Sequence, residues 1–343
     1  MTNAFITGVA GEVLSPAETA FLRSARPAGL ILFARNCTGL EQIRRLVADA
    51  RAAVGDDAFL VLIDQEGGRV QRLRPPLGRA LPAANAYGLL YSEDPAHAQE
   101  AAFLAARLLA DDLLALGINT DCAPVLDVPV AGAHDIIGDR AYGSEPATIA
   151  ALARSVAEGF IAGGVLPVIK HIPGHGRATK DSHHDLPVVT EPRALLSATD
   201  FAPFKALRDM PAAMTAHVVF TAIDDANPAS TSRRVTDEVI RGEIGFDGLL
   251  MSDDLSMRAL SGSLAERARA VLAAGSDIAL HCNGVLSEME QVASAAPPLT
   301  GDALRRFRAA LAVLDRHDPY DSVKAETQLA LALAAGRRHA ESV

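Results

Sequence analysis

Short apolar runs recur along the chain at residues 5–9, 29–33, 59–63, 118–123, 166–169, 212–218, 248–251 and 277–280. They have the length of strands rather than helices. They are nearly continuously apolar instead of alternating, the pattern of a strand covered on both faces. Between most of them, apolar side chains return at helical spacing. Phe103, Leu104, Leu108, Leu109 and Leu113 make one such face. Strand and helix in alternation imply parallel strands joined by crossover helices. Eight candidate strands favour an α/β fold of the closed (β/α)8 TIM-type barrel over an open doubly wound sheet. No linker or low-complexity segment divides the chain, so residues 1–343 read as a single domain. After Pro297-Pro298 the spacing predicts a C-terminal helical extension over about 298–343, packed on the barrel through Leu304, Phe307, Leu311 and Leu314.

Composition narrows the picture. Of the 343 residues, 49% are hydrophobic but only 4% are aromatic and none is Trp, so the core is built from Ala, Leu, Val and Ile. A formal charge of −10 argues against a nucleic-acid or anionic-membrane surface. Cys37, Cys122 and Cys282 are odd in number and widely spaced. They form neither a disulfide framework nor a paired zinc pattern, and suit a reducing compartment. Met1–Phe5 has no basic segment followed by a long apolar one, so no signal peptide is expected. No apolar stretch reaches membrane-spanning length. The expectation is a soluble cytoplasmic protein, with monomer as the default.

In a (β/α)8 barrel, function sits at the carboxyl ends of the strands. There the sequence places Asp64-Gln65-Glu66-Gly67-Gly68-Arg69-Val70-Gln71-Arg72, then Pro124-Val125-Leu126-Asp127 and a later Ile137-Gly138-Asp139-Arg140. Further on come Lys170-His171, His217, Ser252-Asp253-Asp254 and His281-Cys282-Asn283. Some of these have plainer uses. Asp254 or Ser256 can cap a following helix, Asp127 can be a turn residue or an ion-pair partner, and Glu66 can simply end a strand before Gly67-Gly68. The loop from Pro173 to Leu186 holds Gly174, Gly176 and three imidazoles, His175, His183 and His184. His171 and His175 have the i, i+4 spacing of helical zinc motifs, but Pro173 and the glycines oppose a helix there. The better reading is a dyad in which Asp181 orients His183 and favours its protonated form. Such a His gives and takes a proton near neutral pH. Neither a metal nor a cofactor is expected.

Taken together, these segments resemble the motifs of glycoside hydrolase family 3. The resemblance rests on 64–72, Gly138-Asp139-Arg140, Lys170-His171-Ile172-Pro173-Gly174-His175-Gly176, Asp181-Ser182-His183 and Ser252-Asp253-Asp254-Leu255-Ser256-Met257. They stand in one order over most of the chain. More narrowly, they look like bacterial β-N-acetylhexosaminidases that recycle cell wall. The resemblance implies a barrel and retaining hydrolysis of terminal β-linked N-acetylglucosamine. It makes Asp253 the nucleophile and His183 the acid/base with Asp181 as its partner, on a loop that must deliver His183 to the sugar. It makes Asp64, Arg72, Arg140, Lys170 and His171 the sugar-binding groups, with His217, Asp127 and Met257 nearby. The implied substrate is a muropeptide fragment, N-acetylglucosamine on anhydro-N-acetylmuramic acid, with or without peptide. A His in place of the usual second carboxylate also leaves a phosphorylase as the nearest rival, because a His repels incoming phosphate less.

Overall fold

The computed structural model describes residues 1–56, 58–178, 181–182 and 185–340, with side chains through 334. Eight strands close into a barrel: β1 (Asn3–Thr7), β2 (Pro27–Leu32), β3 (Leu60–Ile63), β4 (Thr120–Asp121), β5 (Leu166–Ile172), β6 (Ala212–Thr215), β7 (Leu249–Asp254) and β8 (Ile278–His281). Every neighbouring pair is parallel, and β8 closes against β1 with Phe5 opposite Ala279. Each strand falls on one of the apolar runs, and the (β/α)8 expectation is met. The main shift is at the carboxyl ends: Lys170, His171, Asp253 and Asp254 lie inside strands rather than after them.

Period-two alternation separates two packed layers. Leu60 and Leu62 of β3 join one apolar cluster with Ile31, Val168, Met214, Met251 and Leu280, in the barrel interior. Val61 and Ile63 join a second, larger cluster with Leu46, Leu108, Leu113, Phe160 and Val271, between strands and helices. The covering helices are α1 (Pro16–Ala25), α2 (Leu40–Val54), α3 (Ala84–Glu93), α4 (Pro95–Leu114), α5 (Pro146–Ala162), α6 (Arg193–Ala198), α7 (Ala202–Ala206), α8 (Leu264–Ala273) and α9 (Leu286–Ala295), with a π-helix at Val235–Glu243. Local chemistry starts several of them. Ser15 and Glu18 form a reciprocal capping box at α1, and Ser263 and Glu266 do so at α8.

The tail forms α10 (Gly301–Leu311) and α11 (Ser322–Ala340). Phe307 and Ala310 of α10 join the barrel-interior cluster, with Leu304, Leu311 and Leu314 packed against it. This helix therefore plugs the amino-terminal end of the barrel and leaves the carboxyl end open. Asp277 pins it there, accepting from Arg306 and Arg241 at 3.1 Å each. The α11 helix packs on α3 and α4. The buried Arg107 of α4 secures the link into it, donating to Asp318 O at 2.9 Å with its guanidinium 3.9 Å from the Tyr320 ring centroid. Among the described residues, no helix is long and apolar enough to cross a membrane.

Candidate active site

A cavity of about 330 Å³ opens at the carboxyl end of the barrel. That is within the range of small-ligand pockets. Both polar and apolar residues line it, among them Asp64, Glu66, Arg72, Arg140, Lys170, His171 and Asp253, and Phe33, Met214 and Met257.

Five of these, Asp64, Glu66, Arg72, Arg140 and Lys170, form an ion cluster assembled from four segments. Asp64 ends β3, and a short hairpin, Gln65–Gly67 paired with Val70–Gln71, follows at once. Asp64 and Glu66 are two residues apart in extended chain, so both face the cavity. Asp64 accepts from Arg72 Nη2 at 2.8 Å and from Lys170 Nζ at 2.9 Å. Glu66 lies 2.7 Å from Lys170 Nζ and takes a two-pronged bond from Arg140, both prongs 2.8 Å. Burial pushes the Asp64 carboxyl up, but Lys170 and then Arg72 outweigh it and hold it well below the usual range. Glu66 behaves alike: burial opposes ionisation, yet Lys170 and Arg140 keep its pKa at about 2. Burial alone would discharge Lys170, but the two carboxylates raise it further instead. The ammonium thus donates to Asp64 and pairs with Glu66 at the edge of the cavity.

A second group lies beside the first. Asp127 is fully buried and holds two histidines. His171 Nδ1 donates to Asp127 Oδ2 at 2.6 Å, and the His175 amide donates to Oδ1, also at 2.6 Å. Burial raises the Asp127 carboxyl, but His171 and then His175 bring it below its ordinary value. This bond leaves His171 Nε2 toward the cavity side and fixes the ring. His175 Nε2 is 3.1 Å from Ser182 Oγ. Burial, with His171 adding to it, lowers the His175 ring to about 4, so it is neutral in ordinary buffers. Gly176 lets this loop touch the segment that follows β4, since a Cβ there would sit 2.0 Å from Val128 O.

Asp253 reaches the cavity from β7, four strands round the closed barrel from β3, whose end carries Asp64. Its Oδ1 accepts from the Asp254 amide at 2.8 Å. Asp254 does not cap a helix, because the next one, α8, begins only at Leu264. Instead its Oδ1 accepts from the Ser256 and Cys282 amides, at 3.0 and 3.1 Å.

The structure thus brings together Asp64, Arg72, Arg140, Lys170, His171 and Asp253 around one cavity. Ser182 lines the same cavity, while its neighbour Asp181 accepts the Asp185 amide on its carbonyl at 2.9 Å. His183 lies outside the described residues. Met257 lines the cavity; Asp127 sits behind His171. Glu66 is the residue that sequence reasoning underrated as a strand terminator. Its two-residue spacing from Asp64 was the signal, since that spacing puts both on one face. Among the described residues no three His, Cys, Asp or Glu side chains converge as a metal site. His171 Nδ1 is bonded to Asp127, and His175 Nε2 to Ser182. All three cysteines are buried thiols.

Comparison with known proteins gives the family and supports the fold. Residues 12–304 match the glycosyl hydrolase family 3 N terminal domain. A β-hexosaminidase of Bordetella avium is 38% identical over 326 residues, 93% of this chain and 91% of its own. The structure of NagZ from Neisseria gonorrhoeae, in complex with N-trifluoroacetyl-D-glucosamine, superposes with a TM-score of 0.85 at 31% identity, covering 97% of each chain. A family 3 β-N-acetylglucosaminidase from Paenibacillus sp. superposes with a TM-score of 0.78 at 30% identity; the match covers 98% of this chain and 61% of that longer one. The chain belongs to glycosyl hydrolase family 3.

Proposed function

We propose that this glycoside hydrolase removes terminal, non-reducing β-linked N-acetylglucosamine with retention of configuration, using Asp253 as nucleophile and His183 with Asp181 as acid/base. The observation that carries the reading is a carboxylate at the end of β7 facing a cluster of fixed hydrogen-bonding charges across one cavity. Sugar hydroxyls both donate and accept. Asp64 and Glu66 can accept from them, Lys170, Arg72 and Arg140 can donate, and none needs to move first. Phe33, Met214 and Met257 offer apolar surface to the sugar ring or to the acetamido methyl.

In the first step, Asp253 attacks the anomeric carbon while the bond to the leaving oxygen breaks and His183 protonates that oxygen. A glycosyl ester on Asp253 results. In the second step, His183 takes a proton from water, the water oxygen attacks the same carbon, and Asp253 leaves as carboxylate. Two inversions give retention. The natural substrate in this reading is N-acetylglucosamine linked to anhydro-N-acetylmuramic acid, with or without peptide, consumed in peptidoglycan recycling in the cytoplasm by a monomer.

The test is nitrophenol release from the β-N-acetylglucosaminide aryl glycoside beside the matching β-glucoside, with and without phosphate. Strong preference for the acetamido sugar, unaffected by phosphate, is expected. Release that requires phosphate would assign a phosphorylase, and release from neither would refute the reading.

A further inference from the structure

The strand that carries Asp253 is irregular at its end. Met251 pairs with Ile278, but Asp254 pairs with Leu280, so three steps along β7 run against two along β8. That extra residue is a bulge, a device that re-aims side chains beside active sites. A bulge also takes backbone groups out of the ladder, and they must find other partners.

Asp254 finds a partner for every polar atom. Its amide donates to Asp253 Oδ1 at 2.8 Å. Its Oδ1 takes the Ser256 and Cys282 amides, and its Oδ2 takes the Ser256 hydroxyl. Its carbonyl takes the Met257 amide at 3.2 Å and meets His217 Nε2 at the shorter distance of 3.0 Å. A carbonyl only accepts, so Nε2 carries the ring proton and donates it. Nδ1 is then the acceptor, and the Ser230 hydroxyl, 2.7 Å away, donates to it. His217 is fully buried at the end of β6, and burial lowers its pKa, which keeps the ring neutral as this bonding requires. Ser230 is also buried, on the turn Ala229–Thr231.

We propose that His217 and Ser230 are a positioning pair for the nucleophile: they lock the carbonyl of Asp254, and through that residue hold the Asp253 carboxylate on its line of attack. The proposal rests on Asp253 being the nucleophile. A histidine that only fills the core would affect folding and leave the turnover of folded enzyme alone. A positioning histidine acts on kcat, because a misplacement of about 1 Å can cost about 10²-fold.

The experiment compares His217→Leu, His217→Gln and Ser230→Ala on the nitrophenyl N-acetylglucosaminide, with thermal unfolding measured for each. Leu removes the donor, Gln restores one at the Nε2 position, and Ser230→Ala removes the hydroxyl that donates to Nδ1 and holds the ring in place. Expected are a kcat loss of about 10²-fold in His217→Leu, recovery to within about 10-fold of wild type in His217→Gln, and a loss of about 10-fold in Ser230→Ala, with KM changing less than about 3-fold throughout. Unchanged kcat per folded molecule in His217→Leu or in Ser230→Ala overturns the pair, the latter even if His217→Leu fails to fold. So does a His217→Gln no better than His217→Leu. Trapping wild type with a fluorinated glycoside, followed by peptide mass analysis, separates the two levels. A label away from Asp253 refutes the nucleophile reading. A label on Asp253 with undiminished kcat in the variants refutes only the positioning role.

Discussion

Replacing Glu66 by Gln removes one charge and almost no volume, so it isolates what the ion cluster contributes. Glu66 is 6% exposed at its side chain and binds Arg140 twice and Lys170 once. Its carboxyl is held at about 2 instead of 4.5. A shift of that size corresponds to about 3 kcal/mol of folding stability at neutral pH. Breaking a buried pair by removing one partner costs about 3–5 kcal/mol, and the two figures agree in scale. Because the folded-state pKa is depressed, the contribution is complete above the unfolded value of 4.5 and disappears as pH falls toward 2. Urea unfolding of wild type and Glu66→Gln at pH 7 should therefore differ by about 3 kcal/mol, with a gap that narrows toward pH 3. Michaelis kinetics at pH 7 should show a raised KM, since Arg140 loses its anchor. Equal unfolding free energies, or a gap independent of pH, would show that the charges in this cluster do not stabilise one another as the distances indicate.

Asp253→Ala should abolish turnover while leaving the unfolding transition in place; wild-type rates would remove Asp253 from the chemistry. His183→Ala should slow a natural disaccharide more than a nitrophenyl glycoside, because a good leaving group needs less protonation, and equal losses would count against the acid role. His175 is buried neutral with a pKa of about 4 against 6.5, so it stabilises fully above 6.5 and loses that contribution, about 3 kcal/mol, as pH falls through 4. His175→Gln should flatten the stability profile over that window, and an unchanged slope would contradict the burial argument. Phe307→Ala should cost about 3–5 kcal/mol, as a buried aromatic lost from the barrel plug. A cost below about 1 kcal/mol would mean that α10 is not part of the core.

The barrel was legible because it rests on local repetition. Eight apolar runs mark strands buried on both faces, and helical spacing marks what covers them. The site was legible in outline for a related reason: a charged residue directly after a buried apolar run emerges at the barrel mouth, whether the strand stops there or runs on a little further. Asp64, Lys170, His171 and Asp253 follow from that rule, and the order of motifs pointed to the family. Partnership was not legible. Glu66 meets Arg140 and Lys170, 74 and 104 positions away, and Asp127 meets His171 across 44. Which carboxylate faces which cation depends on how strands are staggered when the sheet closes, and no local pattern records that stagger. The bulge in β7 is of the same kind, visible only against the register of β8. So is the contact of His217 with the Asp254 carbonyl. The sequence by itself determined which residues stand at the mouth of the barrel, through hydrophobic periodicity and the breaks in it. Only the tertiary structure decided which of them hold each other, because hydrogen bonds of about 3 Å between distant segments depend on closure, register and burial together.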